Sequence, residues 1–253
     1  MRAPLLLTAA LAALMLSACA AKPPADDPDA VADFKANNDP LEPTNRVFFT
    51  FNDKLDTYAL KPVAQGYVFI TPAPVRSGIH NALGNLASPA LLFNDVAEGH
   101  PRNAGTTFMR FMINSTIGGL GTFDVAKSLG YPGHGADGNL TLALWGVPEG
   151  PYLYVPFLGP SSPRGLAGDG IDAAANPFTY APHGYGLHTF SYAKSGLGIV
   201  DQRALLLTDL DKAKAGALDP YATFRTLYQQ YEHKQIADSA KDSPATPPAW
   251  SPN

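Results

Sequence analysis

Six histidines, a few serines and a set of glycine clusters are the residues in this chain with the chemistry to act on a ligand. A serine hydrolase needs its nucleophile on a sharp Gly-x-Ser-x-Gly turn, and no such turn occurs; Ser161 and Ser162 sit in Gly-Pro-Ser-Ser-Pro, a turn sequence. His183 and His188 are close in sequence, but Gly184 and Gly186 between them work against the one-face helical placement that turns two histidines into metal ligands. His134 and Asp137, in Gly-His-Gly-Ala-Asp-Gly, have the types of an acid/base pair, yet a glycine loop holds catalytic geometry poorly. Gly118-Gly119-Leu120-Gly121 lacks the spacing of a dinucleotide fingerprint, and no Lys-Ser or Lys-Thr follows it to make a phosphate loop. Neither a catalytic residue, a metal site nor a cofactor is expected.

The remaining reactive side chain is Cys19, the sole cysteine. It follows Leu16-Ser17-Ala18 at the end of an apolar run from Leu5 to Leu16, itself preceded by Arg2, which is the layout of a secretory signal. The run is well short of the ~20 residues of a membrane-spanning helix. Leu16 to Cys19 resembles the bacterial lipobox, whose cysteine becomes a lipidated thioether before cleavage and N-acylation. Stable anchoring takes at least two acyl chains at ~0.8 kcal/mol per buried methylene, so a triacylated Cys19 would hold the protein permanently. Ala20, where lipoproteins retained in the inner membrane often carry Asp, directs the expectation to the outer membrane. With that thiol consumed, disulfides and thiolate zinc sites are excluded.

The formal charge of −4, without any basic cluster, argues against a nucleic-acid partner. Four segments are expected: a signal peptide at 1–18, a lipidated flexible tether at 19–38, a folded domain at 39–237 and a disordered tail at 238–253. The tether is rich in Ala, Pro and Asp, and its nineteen residues after Cys19 span roughly 25 Å. Within the domain the periodicity is helical. Phe48, Phe51, Leu55 and Tyr58 form one stripe, Ile79, Leu83 and Leu86 a second, and Phe108, Phe111, Met112 and Ser115 a third. Pro101 suits a first helical turn, and Asp219-Pro220 reads as cap and first residue of a helix running to about Ile236. Between Gly118 and Gly170 glycine and proline break regular structure repeatedly. Leu140 to Val147 and Tyr152 to Leu158 are too short for periodicity to separate strand from helix. The fold class is therefore mainly α, built of several short-to-medium helices around a Gly/Pro-rich central loop region.

Longer blocks carry a more specific signal. Asp39-Pro40-Leu41-Glu42-Pro43-Thr44-Asn45-Arg46, then Phe51 to Asp56 and Leu60 to Tyr67, closely resemble the MlaA family, also called VacJ lipoproteins. Asn85-Leu86 with Pro89 and Asn94-Asp95, Ala104 to Thr107 and Arg110 to Thr116 resemble its next two blocks. Phe123 to Ala126, Trp145 to Val147, Glu149 to Tyr152 and Leu158 to Ser161 resemble its centre. Asn176-Pro177, Val200-Asp201 with Arg203-Ala204, and Asp219-Pro220-Tyr221 with Arg225 and Tyr228 continue the match in order. Two places depart from the family pattern. Asp137-Gly138-Asn139-Leu140-Thr141-Leu142 stands where Asp-Phe-Gly-Gln-Thr-Leu is common, and Tyr231-Glu232 replaces a basic pair.

The resemblance implies a ring-like helical domain in the inner leaflet of the outer membrane, beside trimeric porins and pierced by an amphipathic channel. Phospholipids misplaced in the outer leaflet would enter that channel as cargo. They would pass unaltered to a periplasmic lipid-binding carrier of the Mla type, MlaC. On this reading the protein is not an enzyme. Phe48, Phe49 and Phe51, an aromatic cluster near the anchor, are candidates for the channel border. Gly118, Gly119, Gly121, Gly130, Gly133 and Gly135 are candidates for a mobile gating loop, because glycine opens backbone conformations closed to other residues. The alternatives are a periplasmic lipoprotein hydrolase and a structural lipoprotein bracing porins.

Overall fold

Prolines mark where the helices begin. A computed structural model describes residues 37–180 and 187–241, with isolated positions between 24 and 32; Cys19, His183, Gly184 and Gly186 lie outside the described residues. Helix α1 runs Glu42–Leu55, α2 Lys61–Ile70, α3 Ala73–Ala97, α4 Pro101–Thr116, α5 Val125–Ser128 and α6 Gly138–Leu144. A hairpin of β1, Leu153–Val155, and β2, Gly159–Ser161, precedes α7, Pro163–Ala175. A 3-10 turn at Pro177–Tyr180 leads to α8, Leu187–Leu205, α9, Leu207–Gly216, and α10, Pro220–Lys241. The fold is mainly helical, as composition and periodicity predict.

Proline stands at the first or second position of α1, α3, α4 and α7, where the missing N–H has no intrahelical partner to lose. Side-chain caps complete several starts. Ser162 accepts from Gly165 N–H at 3.0 Å, and Asp219 from Ala222 N–H at 3.2 Å, the latter as its sequence predicts. Helix α10 continues to Lys241, a turn past the boundary expected at 237.

Helices α1 and α2 are joined without a loop by a π-helical segment, Asp56–Leu60. Pro62 explains it. Lacking an N–H and crowding the carbonyl four residues back, Pro62 cannot continue a regular α ladder, and the turn before it widens so that Lys61 N–H reaches the Asp56 carbonyl. The undecided central segments divide between classes. Leu140 lies in α6, capped by Asp137 accepting from its N–H at 2.8 Å. Leu153 to Val155 form a strand, paired antiparallel in the register Leu153 to Ser161, Tyr154 to Pro160 and Val155 to Gly159.

Burial is inverted relative to an ordinary domain. Among the described residues the buried apolar set is small, chiefly alanines with Leu140, Tyr152 and Tyr221. The buried polar set is larger and includes Asp39, Asn45, Asn94, Asp95, Thr107, Asn114, Thr141, Arg164, Asp201, Arg203 and Arg225. Large apolar side chains point outward instead, with Phe69 at 90%, Ile70 at 75% and Leu120 at 79% exposed. Among the described residues no helix is long and apolar enough to cross a membrane.

Buried polar groups persist only when partnered, and the first conserved-looking block of the sequence shows how. Asn45 donates to Asp39 Oδ1 at 2.8 Å and to the Tyr152 carbonyl at 3.1 Å, and accepts from Tyr154 N–H at 2.9 Å. Asp39 also accepts from Tyr221 Oη and, at 2.8 Å, from Arg225 Nη1. One carboxylate and one amide thus join the start of α1 to the hairpin and to α10. Around them Phe49 packs edge-on against Tyr154 and Tyr221, with ring centroids 5.4 and 5.7 Å apart, and Tyr152 packs on Tyr228 at 5.8 Å. Replacing Asn45 with Ala strands three buried partners, so Asn45→Ala should lower stability by about 2–3 kcal/mol, measured by chemical denaturation of the detergent-solubilised protein.

Candidate functional site: cavities along one face of α3

Helix α3 has two faces of opposite character. Ser77, His80, Asn81, Gly84, Ser88 and Leu91 recur at three- and four-residue steps and line one side, whereas Ile79, Ala82, Leu83 and Leu86 line the other. Three cavities open on the first face. One of about 260 Å³ is bordered by His80, Asn81, Gly84, Asn85, Ser88 and Leu91 of α3, with Arg110 and Asn114 of α4 and Asp124, Gly133 and His134 beyond it. A second, about 450 Å³, shares Gly84 and Leu91 with it, is walled largely by Ala87, Ala90, Ala136 and Ala173, and extends to Asn94, Asp172 and Asn176. The third, about 440 Å³, shares His80 and Asn81 and extends to Arg76, Asp201 and Thr208. The shared lining residues place the three side by side along the helix, the first between the other two. Behind the helix lies a fourth, apolar cavity of about 270 Å³, formed by Ile79, Ala82, Leu83 and Leu86 against Phe190, Ala193 and Leu197 of α8, with Lys194 beside them.

The polar walls are held rigidly. Arg110 donates to the Tyr131 carbonyl at 2.6 Å and to Asp124 at 3.0 Å, and Asn114 donates to Asp124 at 3.0 Å while accepting from Ala126 N–H at 2.9 Å. Burial opposes ionisation of Asp124, but the bonds from Asn114 and Arg110 outweigh it and hold its carboxyl below the usual range. Asp172 goes the other way: burial raises it more than Asn94 and the Gly138 N–H lower it. Glu98, at the C-terminal end of α3, is pushed up to about 7 by burial and then by the charge of Asp95, despite bonds from Ser239 and Thr141.

His134 meets Asp95 at 2.7 Å, not Asp137, which caps α6. Thr107 donates to Asp95 and lies 3.4 Å from the same ring nitrogen, Nε2. A base that activates a hydroxyl needs one ring nitrogen for the hydroxyl and the other for the carboxylate. Here both partners crowd Nε2, so the trio is a buried hydrogen-bond cluster without the layout of a relay. Ser161 is buried on β2 with its hydroxyl directed to the Ser162 carbonyl. Among the described residues no group of His, Cys, Asp and Glu is placed to hold a metal ion.

Of the residues singled out in the sequence, Gly133 and His134 border the first cavity. Phe49 packs in the aromatic cluster of α1, the hairpin and α10, and Phe51, 44% exposed, packs on Phe157. Phe48 is half-buried on the same helix, and none of the three phenylalanines borders the cavities above. Gly118, Gly119 and Gly121 form a tight turn after α4. Gly121 N–H donates to the Asn114 carbonyl at 2.7 Å, Phe123 N–H to the Gly118 carbonyl at 2.9 Å, and a Cβ on Gly121 would collide with the Asn85 side chain. Glycine there meets a close approach to α3. Gly130 and Gly135 lie in the connection between α5 and α6. The residues that sequence reading missed are the polar ones of α3. Their signal was available, because a solvent-facing helix side usually carries Lys and Glu, and this one carries short Ser, Asn and Gly.

A family model described as MlaA lipoprotein matches residues 37–235. The chain belongs to the MlaA family. A Haemophilus influenzae protein called intermembrane phospholipid transport system lipoprotein MlaA is 35% identical over 244 residues, covering 94% of this chain and 92% of its own. The Escherichia coli K12 protein of the same description is 33% identical, over 85% of each chain. A solved structure reported as "Structural basis for maintenance of bacterial outer membrane lipid asymmetry" superimposes with a TM-score of 0.69 at 31% identity, over 78% of this chain and 98% of that one.

The two departures from the MlaA pattern touch each other. Asn139, just inside α6, donates its amide to Glu232 of α10 and accepts from Arg164 Nε at 2.8 Å, while Arg164 Nη2 lies 3.8 Å from Glu232. Burial raises the Glu232 carboxyl, against the bond from Asn139. Helix α6 crosses α7 where Gly138 faces Gly168 so closely that a Cβ on either would strike the other's backbone, which explains why glycine, and no aromatic residue, follows Asp137. Two outcomes are expected. A double-mutant cycle of Asn139→Ala and Glu232→Ala should give a coupling of about 0.5–3 kcal/mol in denaturation, since the groups share one network. For Glu98, whose folded pKa lies above its unfolded value of 4.5, the native state binds the extra proton, so stability is fullest below that value and falls as pH rises towards 7. Glu98→Gln should raise the melting temperature at pH 8 and leave it nearly unchanged at pH 4.

Proposed function

We propose that this protein is an outer-membrane lipoprotein that helps maintain lipid asymmetry by giving phospholipids a sheltered path out of the membrane. The observation that carries the proposal is the row of adjacent cavities, with polar and apolar groups in their walls, along one face of α3, set back to back with the apolar face of the same helix. A phospholipid has the matching division. Its headgroup is accommodated by the Ser, Asn and His side chains of the row, and its acyl chains by the outward apolar surface and the cavity behind α3. An outward apolar surface is what burial physics requires of a body seated in one leaflet, since exposed apolar area gains from lipid what it loses in water.

The relatives' names support the same class of function, transport of phospholipid between membranes. Cys19 would carry the acyl anchor, trimeric porins would flank the domain, and a soluble periplasmic carrier would receive the lipid; the helices together would enclose the path as a ring. No bond in the lipid is broken. The crowding of Asp95 and Thr107 on one nitrogen of His134 favours this reading over a hydrolase.

Gly84 provides the test. It borders two of the cavities, and a Cβ built on it would meet nothing within 4 Å, so a large side chain would enter the row without displacing the fold. Gly66 of α2 is equally open, away from the row. In cells lacking the native protein, Gly84→Trp should fail to clear phospholipid from the surface leaflet, whereas Gly66→Trp should restore it. Equal restoration by both, at equal protein levels, would sink the path along α3.

A further inference from the structure

Arg76 stands in the first turn of α3, where aligned peptide dipoles disfavour a cation and no acid in that turn offsets it. It makes no ion pair among the described residues, and its guanidinium donates through Nη1 alone. The acceptors are the Thr71 carbonyl at 2.6 Å and the Val68 carbonyl at 3.2 Å, at the C-terminal end of α2. Those bonds fix the guanidinium and leave Nε and Nη2 without an acceptor, in a side chain that borders the 440 Å³ cavity. Ser77, Asn81 and Thr208 share that wall and bring further donors.

Asp201 is the acid on the wall, and its charge is already engaged. It is 3% exposed, accepting from Tyr67 Oη at 3.1 Å and facing His80 Nδ1 at 2.9 Å. That contact holds the imidazole and leaves its Nε2 unbonded. His80 and Asn81 also border the 260 Å³ cavity, so whatever binds beside Arg76 lies next to it.

We infer that this wall is an anion subsite for the phosphate diester of a phospholipid headgroup, with Arg76 supplying a two-nitrogen fork and Ser77, Asn81 and Thr208 supplying the surrounding hydrogen bonds. A guanidinium with two free nitrogens in one plane matches two phosphate oxygens, which an ammonium does not. The inference rests on the reading of these cavities as a lipid path and adds to it the group that selects phosphate-bearing lipid.

The full-length protein in detergent is titrated by calorimetry with three probes: dihexanoyl phosphatidylglycerol, dihexanoylglycerol with the same chains and no phosphate, and inorganic phosphate. The native protein should prefer the phosphatidylglycerol over the dihexanoylglycerol by about tenfold or more, the discrimination expected of a charge-assisted fork. Arg76→Gln should abolish the preference, and Arg76→Lys, which restores charge without the fork, should keep part of it. Thr208→Val, which leaves the Arg76 bonds to α2 untouched, should reduce it severalfold. If Arg76 only caps α2, Arg76→Gln lowers the melting temperature and leaves the preference intact, which overturns the subsite. Equal binding of both lipids by the native protein keeps the path and overturns the subsite; binding of neither overturns both. Inorganic phosphate binding as tightly as the phosphatidylglycerol would assign the wall to free phosphate and overturn its assignment to a lipid.

Discussion

A polar group taken out of water must find a partner inside the protein, and the architecture of this chain follows from meeting that demand many times over. Its interior is built from Asn, Asp, Thr, Arg and Ser more than from aliphatic side chains. Such an interior gains little from the hydrophobic effect and depends on geometry, because each unsatisfied buried group costs ~1–3 kcal/mol. Hence the clusters: Asn45 with Asp39, Tyr221 and Arg225; Asp56 with Arg203 at 2.6 Å and Lys214 at 3.2 Å; Asp95 with Thr107 and His134. Each joins elements far apart in sequence. Among the described residues a few buried atoms, such as Arg203 Nη1 and Tyr152 Oη, have no protein partner, a small remainder for so polar a core.

Inverting the usual burial changes what the surface is for. In water, the outward Phe69, Ile70, Leu120 and Phe157 would be an aggregation hazard. Against hydrocarbon they are the favourable face. The family's place in phospholipid transport and the distribution of side chains fit the account proposed above, in which the outward apolar face would meet lipid.

Helix α3 divides these two environments. Its apolar side joins α8 and its other side borders three adjacent cavities, so on the proposed reading a lipid, itself half polar and half apolar, would find along one helix a surface for each of its halves. The division also constrains α4 and the turn at Gly118 to Gly121, which must approach α3 closely to support its buried Asn85. Asn85 reaches Ser115 at 2.8 Å across that contact. A loose loop there would leave the amide unpartnered.

What the sequence by itself determined is local. Helical periodicity, first-turn prolines, the Asp219 cap and the ordered family blocks are written in consecutive residues, so the mainly α fold and the family could be read without coordinates. The π turn before Pro62 follows from one residue's missing N–H. What only the tertiary structure decided is pairing: His134 with Asp95 and not Asp137, Asn139 with Glu232, Phe49 with Tyr154 and Tyr221, and the row of cavities on the side of α3 opposite its apolar stripe. Hydrogen-bond partners separated by dozens of residues leave no spacing rule behind them. A short polar side chain looks the same in sequence whether it faces bulk water, a buried carboxylate or an enclosed polar path, and only packing tells these apart.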